Sequence, residues 1–203
     1  MPARLLIYET THHETLPAIL DLAALYFEKV TVFLREMTYQ NICRTPGEIK
    51  WKNTVFVRQS ATVSNRIFIR DALHFARRNG ITHFHISTLD NNMLYFAMGL
   101  VRLPELYISL SIHAVNEYRK YKARNLRDLT ESLAKLFFHR RVGHYRVLSP
   151  GMIDIFHQNF PGTSCQFIPS RFFAAPQAGI REKKDYLKIV IPGTVDPNRR
   201  DYA

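Results

Sequence analysis

Arg4-Leu5-Leu6-Ile7-Tyr8, then Thr10-Thr11-His12-His13, then Leu16, Ile19, Leu20, Ala23, Ala24 and Phe27 at helical spacing: this opening stretch decides the fold. An apolar run that stops at Glu9 is too short for the core of a signal peptide and long enough for a buried strand. The apolar positions after the polar loop recur every three or four residues, the pattern of one helix face. The stretch is therefore a strand–loop–helix unit, and the rest of the chain repeats it. Residues 29–35 (KVTVFLR) and 53–59 (NTVFVRQ) are rich in β-branched and aromatic residues and predict the next strands. Residues 64–80 form a helix between the N-cap Ser64 and the C-terminal Gly80. Its core stripe is Phe68, Ala72, Phe75 and Ala76, and its opposite stripe is Arg66, Arg70, His74 and Arg77.

The alternation continues through a strand at 82–87, a helix at 91–99 and a strand at 106–112 (LYISLSI). A long basic helix follows, with Leu126, Leu129, Leu133 and Phe137 on one side. A strand at 143–148, a short helix from Ser149-Pro150 to Phe160 and a strand at 165–169 complete the series. Alternating strands and helices with short connections predict a Rossmann-like α/β fold, with a mostly parallel sheet and helices on both faces. Ligands of such sheets sit at the carboxyl ends of the strands. Here those ends are residues 9–13, Arg35-Glu36, Gln59-Ser60, 88–92, 113–116 and Ser149-Pro150.

At 203 residues and 46% apolar, the chain holds one sizeable core and is too apolar to be disordered. Its 28 Lys and Arg against 17 Asp and Glu leave a net charge of +11, which favours phosphates, acidic glycans or an anionic membrane face. The basic residues 119–124, with Arg127, His139, Arg140, Arg141 and Arg146, are the main source. Interleaved tyrosines suit nucleic acid, but the RRM, KH and OB signatures are missing, and solvated faces are the common role of such helices. Only Cys43 and Cys165 occur, without a CxxC pair, which excludes a cysteine zinc site and fits a reducing, cytoplasmic setting.

Familiar catalytic motifs are absent: there is no GxGxxG after the first strand, no GxxxxGK[ST], no HExxH and no GxSxG. A standard NAD or FAD domain is thereby disfavoured. Histidines stand where ligands of α/β sheets sit. His113 follows a buried strand, where a neutral imidazole serves as a general base or hydroxyl-binding group, or as an ordinary hydrogen-bonded strand-end histidine. His12 and His13 either contact a substrate hydroxyl or phosphate or cap the following helix. Asp90-Asn91-Asn92 binds sugar hydroxyls or caps a helix, and Asn116 lies in the loop after His113. His83 and His85 alternate around Phe84 and share a sheet face. They lack a third ligand at metal spacing, so packing is their expected role and no metal is expected.

Composition shifts after Arg171. Residues 174–184 (AAPQAGIREKK) predict a linker between a domain at 1–173 and a further segment at 185–203, where Tyr186-Leu187-Lys188-Ile189-Val190-Ile191 starts a fresh strand. The strand-end histidine midway along the first domain, and the later Pro192-Gly193-Thr194 and Asp196-Pro197-Asn198-Arg199-Arg200-Asp201-Tyr202, resemble the N-terminal domain of two-domain GT-B glycosyltransferases at its crossing into the second domain.

That resemblance implies a transferase moving sugar from a nucleotide-sugar donor to a glycan or lipid-linked acceptor. The first domain would bind acceptor through His12, His13, Asp90 and Asn116, with His113 beside the reacting sugar. Gly193, Arg199 and Arg200 would contact the donor diphosphate, with no cofactor or metal required. Two departures stand against the pattern: residues 10–14 replace the glycine-rich first loop, and the second domain's glutamate pair is absent. The resemblance therefore implies an incomplete, inactive fragment, with its basic face available to the membrane and nucleic acid an improbable partner. The competing expectation is a basic α/β binding module for RNA or an anionic membrane surface. A receiver-like silent domain is disfavoured, because Glu9 alone stands at the first strand end.

Overall fold

Seven strands rich in β-branched and aromatic residues lie side by side in one parallel sheet in the computed structural model, which describes residues 3–12, 15–44, 51–89, 92–113, 125–147 and 149–167. The strands are β1 (Arg4–Glu9), β2 (Lys29–Arg35), β3 (Thr54–Gln59), β4 (His83–Ile86), β5 (Tyr107–Ile112), β6 (Val142–Val147) and β7 (Cys165–Phe167). Their order is β3-β2-β1-β4-β5-β6-β7, so the direction of winding reverses between β1 and β4. Because parallel crossovers keep one hand, that reversal sends the helices to opposite faces. Helices α1 (Leu16–Tyr26) and α2 (Glu36–Arg44) cover Leu5, Ile7, Val30, Val32 and Leu34. Helices α3 (Asn65–Arg78), α4 (Met93–Leu100), α5 (Leu126–Arg141) and α6 (Gly151–Asn159) pack over Leu6, Tyr8, Phe84, Ile86, Leu110 and Tyr145. The period-2 alternation of β1 divides its side chains between the two cores.

The expected fold class is present, with differences in detail. Ser64 caps α3 by accepting a hydrogen bond from the Ile67 amide, and Gly80 ends it at φ 59°. Helix α2 was not expected: its few apolar residues run straight into the turn signal Thr45-Pro46-Gly47. The apolar stripe assigned to α5 is also corrected. Of that stripe Phe137 does pack against the core, but Leu126, Leu129 and Leu133 are 79%, 45% and 58% exposed, while Phe138 and His139 are buried. Tyr145 explains the rotation: His139 Nδ1–H donates to its hydroxyl at 2.8 Å, and that hydroxyl donates to the His139 carbonyl at 3.1 Å. A histidine thus enters the core because it has a partner there.

Two parts of the expected basic face are corrected as well. His139 and Arg146 are 3% and 4% exposed and cannot face a membrane or nucleic acid. Arg141 is spent on the carbonyls of Leu103 and Pro104, at 2.9 and 2.8 Å. Residues 119–124 lie outside the described residues, as do the linker and strand expected within 174–203. No helix among the described residues is long and apolar enough to cross a membrane.

Candidate functional site

The reversal of winding places the carboxyl ends of β1, β4 and β5 together, where open α/β sheets bind ligands. Glu9 ends β1 with no exposed surface. Its Oε1 accepts the amide hydrogens of Thr11 at 2.6 Å and His12 at 2.7 Å, and the hydroxyl hydrogen of the buried Thr88. In a dinucleotide fold the corresponding amides would hold a pyrophosphate. Here a carboxyl group of the chain itself occupies two of them.

These bonds also fix the loop that carries His12. The His12 ring stacks on that of His113 with centroids 3.9 Å apart and planes 4° from parallel. His113, the first residue after β5, is anchored by Nε2, which lies 2.7 Å from the Ser87 carbonyl. A carbonyl only accepts, so Nε2 carries the hydrogen and Nδ1 the lone pair of the neutral ring. The ring is neutral at pH 7 because burial, then the adjacent His12, lowers its pKa to about 4, against smaller raising effects of the Ser87 bond and Glu9. Two fully buried polar atoms beside it, Glu9 Oε2 and Ser87 Oγ, have no hydrogen-bond partner among the described residues.

Below this edge, on the same sheet face, His85 is held between two serines of β5, with Nδ1 2.8 Å from Ser109 Oγ and Nε2 3.1 Å from Ser111 Oγ. Burial first, then the Arg146 charge, lowers its pKa to about 3. Burial lowers the Arg146 guanidinium as well. His85 is a packing histidine, as expected, although the serines that satisfy it were not foreseen. His83 takes a packing place too, against Phe27 and Tyr107. Among the described residues, no three His, Cys, Asp or Glu side chains are placed to hold a metal ion.

Of the residues singled out from sequence, the structure brings His12 and His113 together. His13, Asp90, Asn116, Gly193, Arg199 and Arg200 lie outside the described residues. The residue capping α1 is Thr15, whose amide and hydroxyl both donate to the His12 carbonyl at 3.2 Å, so His12 contributes to that turn through its backbone and not by a side-chain cap. Asn92 stands at the N-cap of α4 without a side-chain cap bond. Glu9, Ser87 and Thr88 were missed; the available signal was a carboxylate ending one buried strand and Ser-Thr following another. Arg35, also on this edge, is a structural clamp: it donates to the carbonyls of Ser60 and Val63 and to Asn65, and lies over the Phe68 ring.

No family model and no curated protein matches the chain. Solved structures similar to it include the UDP-GlcNAc 2-epimerase from Methanocaldococcus jannaschii, at 7% identity and a TM-score of 0.49 over 83% of this chain. The chain spans 46% of that enzyme's length. A short-chain dehydrogenase from Oenococcus oeni is similar at 10% identity and a TM-score of 0.44, over 83% of this chain and 96% of its own. A short-chain dehydrogenase from Escherichia coli CFT073 in complex with NADPH follows at 10% identity and 0.41, over 78% of this chain and 82% of its own. These likenesses are of layer order in a Rossmann-like sheet.

Proposed function

We propose that this chain is the acceptor-binding part of a sugar-handling enzyme, a glycosyltransferase that uses a nucleotide-sugar donor. One observation carries the reading: His12 stacked on the neutral His113 at the point where the winding of the sheet reverses. With the first loop's amides engaged by Glu9, this edge favours an uncharged, hydroxyl-rich ligand over a pyrophosphate. His113 Nδ1 takes the hydrogen bond, and then the proton, of the attacking acceptor hydroxyl. That oxygen bonds the anomeric carbon as the bond to the diphosphate breaks, and the diphosphate leaves with the electron pair. An imidazole with a pKa near 4 is a weak base, so its larger contribution is to orient the hydroxyl. His13, Asp90 and Asn116 keep the acceptor role, and Gly193, Arg199 and Arg200 the diphosphate role, that the resemblance assigns them.

The test is a titration of the isotope-labelled chain with glucose, N-acetylglucosamine and mannose, alongside NADPH and pyrophosphate, read at the His12 and His113 imidazole resonances. Movement with at least one sugar, abolished by His113→Ala, is the expected result. Movement with NADPH or pyrophosphate and with no sugar overturns the proposal.

A further inference from the structure

Away from the sheet edge, α3 and α4 enclose a surface groove of about 650 Å³. Its apolar lining includes Ile67, Leu73, Met98 and Leu103, together with Tyr95. Met98 is 63% exposed and Ile67 41%, large values for side chains of this kind. Arg66, Arg70, His74 and Arg77 line the groove from α3 and Arg102 from beyond α4, and no acidic residue lines it among the described residues. Arg70 pairs with Asp71 at 3.1 Å, while Arg66, Arg77 and Arg102 form no ion pair among the described residues. Arg66 and Arg70 stand one turn apart on α3, a spacing at which like charges repel. Gly99 lets the helices meet closely, since a Cβ there would collide with the Leu73 side chain.

We infer that this groove docks an acidic amphipathic helix of a partner protein. A groove lined by apolar and cationic side chains together complements a helix with one apolar face and carboxylates along its sides. The 14 residues of α3, at about 1.5 Å each, offer a partner roughly four turns of contact. A second copy is disfavoured as occupant because each chain carries +11. Single-stranded nucleic acid finds one aromatic side chain here, Tyr95, where stacking needs several. The inference is independent of the sugar-handling proposal.

Fluorescence anisotropy on the full chain tests it. The probe is a labelled 16-residue peptide with leucine at positions i, i+3 and i+7 and glutamate between. Its controls are a scrambled peptide of the same composition and a version with lysine for glutamate. The expected result is binding at least about 10-fold tighter than either control. Arg66→Glu with Arg77→Glu should weaken it by about 10-fold or more, with an unchanged melting temperature. Met98→Ser, at a 63% exposed position that tolerates substitution, should weaken it as well and decides the matter if the double variant fails to fold. Equal binding of the scrambled peptide, or full binding by Met98→Ser, overturns the inference. So does preferential binding of phosphatidylglycerol vesicles or polyuridylate that the same variants abolish.

Discussion

Acidification should unfold this protein through His85, by an amount the structure allows to be worked out. The ring is buried between Ser109 and Ser111, and its pKa falls from the ordinary 6.5 to about 3. The folded state therefore resists a proton that the unfolded chain accepts. The His85 contribution is complete above pH 6.5 and is lost progressively as pH falls from there towards 3. At about pH 4.5 the deficit is two pH units, or about 2.7 kcal/mol. His113, lowered to about 4, loses a similar amount over the same interval. Together they approach about 5 kcal/mol, the lower end of a typical domain's total stability, so cooperative acid unfolding is expected near pH 4. The assay is guanidinium unfolding at pH 7 and pH 4.5, followed by circular dichroism, for the native chain and His85→Gln. The other histidines titrate in both proteins, so the difference in pH sensitivity isolates His85. Native protein should lose about 2–3 kcal/mol more than the variant. Equal losses, to within about 0.5 kcal/mol, or a His85 resonance that titrates near 6.5, would refute the burial argument.

Four further outcomes follow. The His113 imidazole should titrate near pH 4 and remain neutral at pH 6, so acceptor binding stays flat above about pH 6; an inflection between 6 and 7 by NMR contradicts the site geometry. In the active enzyme, His113→Ala should lower turnover by about 10²–10⁴-fold, and native turnover would make the residue structural. Glu9→Ala strips an acceptor from three donors and should cost about 3–4 kcal/mol by urea unfolding, whereas Glu9→Gln, which keeps a carbonyl oxygen and loses the charge, should cost less and bind pyrophosphate more tightly by calorimetry. Tyr145→Phe removes both hydrogen bonds to His139 and should destabilise the fold by about 1–3 kcal/mol in the same unfolding assay; an unchanged midpoint would show that those bonds contribute nothing net.

Strands were legible because KVTVFLR or LYISLSI has no alternative way to bury consecutive β-branched and aromatic residues. Helix α3 was legible because Ser64, Gly80 and a clean apolar stripe agree with one another. The α5 face was not, because periodicity assumes that leucines turn inward and histidines outward. Tyr145, contributed by a strand that follows the helix, reverses that preference with two hydrogen bonds and leaves Leu126 and Leu133 exposed. Tertiary partners of this kind leave no mark at helical spacing.

The site divides along the same line. A histidine at a strand's end can be recognised from its neighbours in sequence, but what it does depends on residues that the sheet brings beside it. Ser87 sets the tautomer of His113, Thr88 and two amides hold Glu9, and Glu9 in turn fixes the loop that stacks His12 against His113. Read along the chain, Glu9 is the residue at which an apolar run stops. Placed at the reversal of winding with no exposed surface, its carboxyl group fills the position that a Rossmann-like sheet otherwise opens to phosphate. The missing glycines of the first loop and the buried carboxylate thus have one physical meaning. Glu9 engages the first-loop amides of this edge, and His113, held neutral by its burial beside them, offers a lone pair suited to a hydroxyl.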